Sequence, residues 1–183
     1  MKKILMINGH QPYSYASGKL NKTLFEFIEN YLKSENEIKK TIIKEGYRHK
    51  EEIEKFLWAE IIIIQTPIYW FSIPGEFKTY IDRTFEYGVF YKGSDNPYGE
   101  NGLLKGKKYM YSLTWNSPEE AFNNKESRFF KGLTPDEVII ALHKMLQFIG
   151  LEQLKTFCAF NVIKNPQINF YLDKLKNHLD LIF

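Results

Sequence analysis

The sequence predicts a doubly wound α/β fold with a five-stranded parallel sheet. Three observations carry that expectation. Strand-like and helix-like segments alternate five times, and the four consecutive isoleucines at 61–64 have the unbroken β-branched character of a strand covered on both faces. No repeat, low-complexity tract or linker divides the 183 residues, and that length with 44% hydrophobic and 26% charged residues suits one domain, 1–183, with its own core.

The elements follow in order. Residues 3–8 form a short apolar strand, and from 18 to 34 Leu20, Leu24, Phe27, Ile28, Tyr31 and Leu32 recur at helical spacing. A second strand spans 38–43, and Ile53, Phe56 and Leu57 line a short helix that begins near Arg48. The isoleucine strand, 60–66, is the expected sheet centre. Pro74 and Gly75 then open a helix carrying Phe77, Tyr80, Ile81, Thr84 and Phe85, which Gly88 is placed to close. A fourth strand covers 107–115. Thr134, Pro135 and Glu137 stand where an N-cap, an N1 proline and a capping-box glutamate belong, ahead of a helix running to Gly150. A fifth strand at 154–160 and a final helix lined by Ile168, Leu172, Leu175, Leu179 and Ile182 complete the pattern.

Composition removes several classes of function. Twenty-five Lys and Arg against 22 Asp and Glu leave a net charge of +3, too small and dispersed for a nucleic-acid footprint. Cys158 is the one cysteine, so no intramolecular disulfide forms and no thiolate zinc or iron–sulfur site is expected. The aliphatic run 61–64 falls far short of the roughly 18 apolar residues a spanning helix needs, and the first residues lack a signal-peptide pattern. No membrane span and a cytoplasmic location are expected. Aromatic residues reach 16%, several of them in loops, where they cover flat ligands or fill interfaces.

Doubly wound sheets bind ligands beyond the carboxyl ends of their strands, which directs attention to the loops after strands one, three and four. Loop one has only Gly9 and Gly18, nine apart, so neither the dinucleotide fingerprint nor the P-loop is present and a nicotinamide in a Rossmann turn is excluded. What remains is a hydroxyl-rich approach to a helix N-terminus, which attracts phosphate, with Ser17 and Asn21 as side-chain donors or Ser17 as a plain cap. Loop three places Tyr69, Trp70 and Phe71 between Pro67 and Pro74, a setting for a planar heterocycle or for packing. Loop four offers Thr114, Trp115, Asn116 and Ser117, with Trp115 and Tyr69 expected to pack on a ring rather than fill the core. Two long loops, 88–105 and 116–133, are candidate lids or partner contacts. His10 reads as a solvated loop histidine, His143 as structural, Cys158 as a small buried hydrophobe, and Lys107 and Lys108 as a solvated strand start.

Several segments together resemble a known family. They are Asn8-Gly9, the S-G-x-L-N of 17–21, the F-L-W-A of 56–59, the aromatic loop after Pro67, the K-x-Y-I-D of 78–82 and the G-K-K-Y-M-x-S-L-T-W-N of 106–116. The sequence resembles the flavodoxin-like NAD(P)H:quinone oxidoreductases, and within them the modulator of drug activity B group. The resemblance implies a flavodoxin-like doubly wound sandwich that binds FAD, takes a hydride from NADPH or NADH, and reduces a quinone by two electrons in a ping-pong cycle. It implies a homodimer with the flavin near the interface, and neither a catalytic side chain nor a metal ligand. Residue by residue, it implies that Ala16, Ser17, Gly18, Lys19, Leu20, Asn21, Lys22 and Thr23 hold the pyrophosphate. It puts Ile68, Tyr69, Trp70 and Phe71 around the isoalloxazine, with Thr114, Trp115, Asn116 and Ser117 on the same ring and Tyr98 as a further contact. The 88–105 loop, shorter than the group's, is the one departure. Two alternatives stay open: an FMN-binding electron carrier, and a flavin-binding regulatory subunit of a potassium efflux system.

Overall fold

A computed structural model describes residues 1–93 and 95–183; Ser94, in the 88–105 loop, lies outside the described residues. β1 (Lys3–Asn8), β2 (Glu37–Ile42), β3 (Ile61–Pro67) and β4 (Lys108–Thr114) run parallel in the order β2–β1–β3–β4. β5 (Glu152–Gln153) and β6 (Phe157–Ala159) both pair with the outer edge of β4. They are one strand position interrupted by a bulge. Gln153 faces Tyr109 and Phe157 faces Ser112, so the outer chain advances four residues while β4 advances three, and the extra residue leaves the ladder. The strand expected over 154–160 is therefore shortened to Phe157–Ala159, with Glu152–Gln153 pairing ahead of it.

Alternation along the strands divides the core into two layers. α1 (Lys19–Leu32) and α6 (Ile168–Asp180) cover the face that carries Ile4, Met6, Ile61, Ile63 and Met110. α2 (His49–Trp58), α3 (Gly75–Thr84) and α5 (Ile140–Phe148) cover Leu5, Ile7, Ile62, Ile64, Tyr109, Tyr111 and Leu113. Every residue of β3 is buried, as a central parallel strand requires. Much of the aromatic excess is core material, since Phe56, Phe77, Tyr80, Phe90, Tyr109 and Tyr111 are all fully buried on the second face.

Three local expectations are corrected. The helix expected over 134–150 is two, α4 (Pro135–Val138) and α5, because Ile139 adopts φ −106° and ψ 26°. The capping box is present: the Glu137 N–H donates to Thr134 Oγ1 at 3.1 Å and the Thr134 N–H to Glu137 Oε2 at 2.7 Å. His143, buried, spans the break, with Nδ1 2.9 Å from the Tyr109 hydroxyl and Nε2 3.2 Å from the Asp136 carboxylate. Secondly, α3 ends at Thr84 rather than near Gly88, because Phe85 leaves the helix to pack edge-on against Phe56 at 5.5 Å. Thirdly, the Lys107 ammonium is not simply solvated: it donates to the Leu57 carbonyl at 2.6 Å and to the Ala59 carbonyl, covering the end of α2. Cys158 is half-buried, and burial pushes its thiol up to about 12, so it stays protonated at neutral pH.

Candidate functional site

The turn between β1 and α1 is built around a histidine. His10 is buried, and its Nε2–H donates to the Ala16 carbonyl at 3.1 Å. Burial holds its pKa below the usual 6.5, so the ring is neutral. This corrects the expectation of a solvated side chain. Tyr13 and Ala16 exchange backbone hydrogen bonds of 3.1 and 2.9 Å, which tighten the loop, and the Gly9 N–H ties it to the Gln65 carbonyl at 2.9 Å.

The neutral ring makes a pH prediction. Folding disfavours the protonated ring, so the unfolded chain binds more protons and stability falls as pH drops below about 6.5 toward the folded pKa. The denaturant midpoint is expected to fall between about pH 7 and about pH 5, and to fall less in His10→Gln, which keeps the donor to Ala16 but cannot titrate. Equal slopes in the two proteins would contradict this. His178, also held low by burial, supplies part of the remaining slope.

α1 begins at Gly18, the N-cap, at φ 77° and without a side-chain cap, so Ser17 is not the cap. The first helical bond is Lys22 N–H to the Gly18 carbonyl at 2.9 Å, which leaves the N–H groups of Lys19, Leu20 and Asn21 ahead of it. No acidic residue stands in this first turn, while Lys19 and Lys22 do. Such a turn attracts an anion through its free N–H groups and the helix dipole.

Loop three is shaped by an unusual turn. Tyr69 and Ser72 exchange backbone hydrogen bonds of 2.8 and 3.1 Å around Trp70 and Phe71, which stand at φ 51° and 64°. Left-handed backbone at two bulky residues costs about 1–3 kcal/mol each, so the rest of the fold must hold the turn in place. Tyr69 stays beneath it, its hydroxyl donating to the Gln11 carbonyl at 3.1 Å; burial pushes that phenol up to about 12, so it remains neutral.

These parts enclose one cavity of about 420 Å³ at the carboxyl edge of the sheet. The structure brings Ala16, Ser17, Gly18, Lys19, Leu20 and Asn21 together there with Ile68, Tyr69, Thr114 and Asn116. The remaining expected site residues lie outside it. Lys22 and Thr23 sit further along α1, with the Thr23 hydroxyl bonded back to the Lys19 carbonyl at 3.0 Å. Trp70 is 90% exposed, and Phe71 leans on Phe129 at 5.4 Å, because the tight turn carries both away from the cavity. Trp115 is 2% exposed and packs on Phe122 at 5.1 Å. The alternation that sets Thr114 on the cavity side turns Trp115 to the opposite layer, with Tyr111 and Leu113. The Ser117 carbonyl accepts from the Asn161 N–H at 3.1 Å. Tyr98 is 95% exposed, with its ring on Phe148 beside a separate depression.

His10, Tyr15 and Pro67 join the lining unannounced by the sequence, as do Val162, Ile163, Pro166 and Ile168. The last four follow β6, so the rule that directed attention to three strand ends applied to the fifth position as well.

With strand order β2–β1–β3–β4 and the cavity at the carboxyl edge, comparison with known proteins decides the family: a family model for the flavodoxin-like fold matches residues 2–179. The chain belongs to the flavodoxin-like fold family. This flavodoxin-like chain is 40% identical over 190 residues to the NADPH:quinone oxidoreductase MdaB of Haemophilus influenzae, with 98% of each covered. It is 33% identical over 130 residues to an FMN-dependent NADH:quinone oxidoreductase of Sinorhizobium medicae, covering 63% of this chain and 62% of that one. Among solved structures, a Klebsiella pneumoniae protein assigned as a candidate quinone reductase superposes with a TM-score of 0.81 at 25% identity, over 100% of this chain and 85% of that chain. Among the described residues no helix is long and apolar enough to cross a membrane, and no His, Cys, Asp and Glu cluster is placed to hold a metal ion.

Proposed function

We propose that this chain is a flavin-dependent NAD(P)H:quinone oxidoreductase, a single flavin-binding domain that works as a homodimer. One observation carries the reading: the uncapped turn of α1 and the loops after β3 and β4 line the same cavity, so an anion site and a site for a flat ring lie within one ligand's reach. The full-length likeness to a NADPH:quinone oxidoreductase supports it.

The residues present fit a flavin. The N–H groups of Lys19, Leu20 and Asn21 would hold phosphate, Ile68 and Tyr69 would back the ring, and Thr114 and Asn116 offer a hydroxyl and an amide to its polar edge. When bound, the flavin supplies hydride acceptance and two-electron transfer. The neutral Tyr69 phenol is committed to Gln11, so it orients the loop rather than moving a proton. Loop three and the anion turn would cover one side of the ligand and leave the other for nicotinamide and quinone in turn. The exposed rings of Trp70, Phe71 and Phe129 stand outside the cavity, where a second subunit would cover them.

FAD is favoured over FMN by the rim. The cavity lining also includes Tyr15, Ile163 and Ile168, all exposed, which the larger FAD would cover more fully than FMN. Release of the bound flavin and its mass decides between the two, and FMN alone would overturn the FAD assignment. Initial-rate plots at several quinone concentrations are expected to be parallel for either nicotinamide, since the donor leaves before the quinone enters. Intersecting lines would refute the shared ring face.

A further inference from the structure

Beneath the cavity lies a buried chain of three amides, of which only Asn21 reaches the lining. Asn8 closes β1, Asn21 stands in the first turn of α1, and Gln65 lies in β3. The His10 N–H donates to Asn8 Oδ1 at 3.1 Å, Asn21 Nδ2 donates to the same oxygen at 2.8 Å, and Gln65 Nε2 donates to Asn21 Oδ1 at 3.0 Å. The direction of the chain is set at its root. A backbone N–H can only donate, so Asn8 turns its oxygen toward it; Asn21 must then offer its amino group, and its own oxygen is left to accept from Gln65. One backbone group thereby orders three side chains.

The far end is unfinished. Gln65 Oε1 and Ser112 Oγ are both buried without a hydrogen-bond partner among the described residues, and the two residues are register partners in the β3–β4 ladder. Two residues further along the same strands stand Pro67 and Thr114, which line the cavity. The chain therefore joins the end of β1, the anion turn and the roots of loops three and four, the parts that a phosphate and a ring would each touch. Asn21 spends its amide inside this chain, so its contribution to an anion comes through the backbone of its helical turn.

We infer that Gln65 and Asn21 are positioning residues, which hold the anion turn of α1 in register with the ring-binding loop so that the two halves of the cavity form one preformed site. The inference rests on the flavin reading above. It predicts a coupling that plain core packing would not produce: loosening the chain separates phosphate from ring recognition and spares recognition of the ring alone.

The test uses the ratio of riboflavin to FMN dissociation constants, measured by fluorescence quenching on the whole apoprotein; the ratio isolates the share of affinity that comes from the phosphate. Gln65→Leu, similar in bulk but unable to donate, is expected to shrink that ratio about tenfold while riboflavin affinity stays within about twofold. Asn21→Ala, which an α-helix accommodates well, reads the same contact from the other side should Gln65→Leu fail to fold, and the double variant is expected to add little to either single change. A ratio unchanged in these variants, or riboflavin and FMN weakened equally, overturns the positioning role and leaves the flavin reading intact. A parent chain that binds no flavin overturns the functional reading and this inference with it.

Discussion

Trp115→Ala is expected to lower the stability of the apoprotein by about 3–5 kcal/mol while leaving flavin affinity within about twofold of the parent. In the sequence this residue stands between Thr114 and Asn116, both of which line the cavity, and proximity alone would assign it to the ligand. Strand alternation decides otherwise. Thr114 faces the layer of α1 and α6, so Trp115 continues the opposite row of Tyr109, Tyr111 and Leu113 into the second layer. Its indole meets Phe122 at 5.1 Å, Phe122 stacks on Phe130 at 4.4 Å, and Phe130 touches Phe71 at 6.1 Å. The tryptophan is therefore the first in a row of rings that reaches from β4 to the strained turn of loop three. Removing it opens a void that this row cannot close without moving the turn, which is why a cost near the upper end of the range is expected. Urea denaturation of the apoprotein and a flavin titration read the two effects separately. Intact apo stability with lost flavin affinity would return the indole to the cavity.

The parts of the fold that were legible in the sequence are those whose physics is periodic. The isoleucines of β3 and the spacing of Leu24, Ile28 and Leu32 in α1 respond to burial on fixed periods, so strand and helix could be told apart. The bulge between β5 and β6 left no such trace, because one extra residue alters pairing without altering composition. The break at Ile139 was equally hidden, since the apolar rhythm runs on through both helices. At the site, the proposed anion turn starts from a sequence signal, since a hydroxyl-rich loop ahead of an amphipathic helix has one physical use beyond capping. Trp70 and Phe71 lie outside the cavity for a definite reason: three aromatics in a row suggest a wall, but the left-handed backbone that turns two of them outward is invisible in residue type. Asn21 shows the same limit in reverse, since its polarity suggested a ligand contact and its burial commits it to Asn8 and Gln65.

Gly18→Ala is expected to weaken flavin binding by about tenfold or more, with a smaller loss of apo stability, on the order of 1–2 kcal/mol. Two constraints meet at this residue. Its φ of 77° lies in the left-handed region, where a Cβ is unfavourable, and a Cβ built there would also fall within 2.5 Å of His10 Nε2. The ring cannot retreat easily, because it is buried and bonded to the Ala16 carbonyl. The least costly adjustment is for Gly18 itself to move, which shifts the start of α1 and the N–H groups of Lys19, Leu20 and Asn21 that would face an anion. Flavin affinity should suffer more than folding, since the helix beyond the first turn is held by Leu24, Phe25 and Ile28 in the core. The double variant His10→Ala, Gly18→Ala separates the two constraints: it removes the clash and keeps the unfavourable φ, so it is expected to recover part of the flavin affinity lost by Gly18→Ala. Recovery can be measured by titrating both apoproteins with the same flavin. A double variant that binds flavin no better than Gly18→Ala would assign the whole effect to backbone strain and remove the histidine ring from the construction of the anion turn.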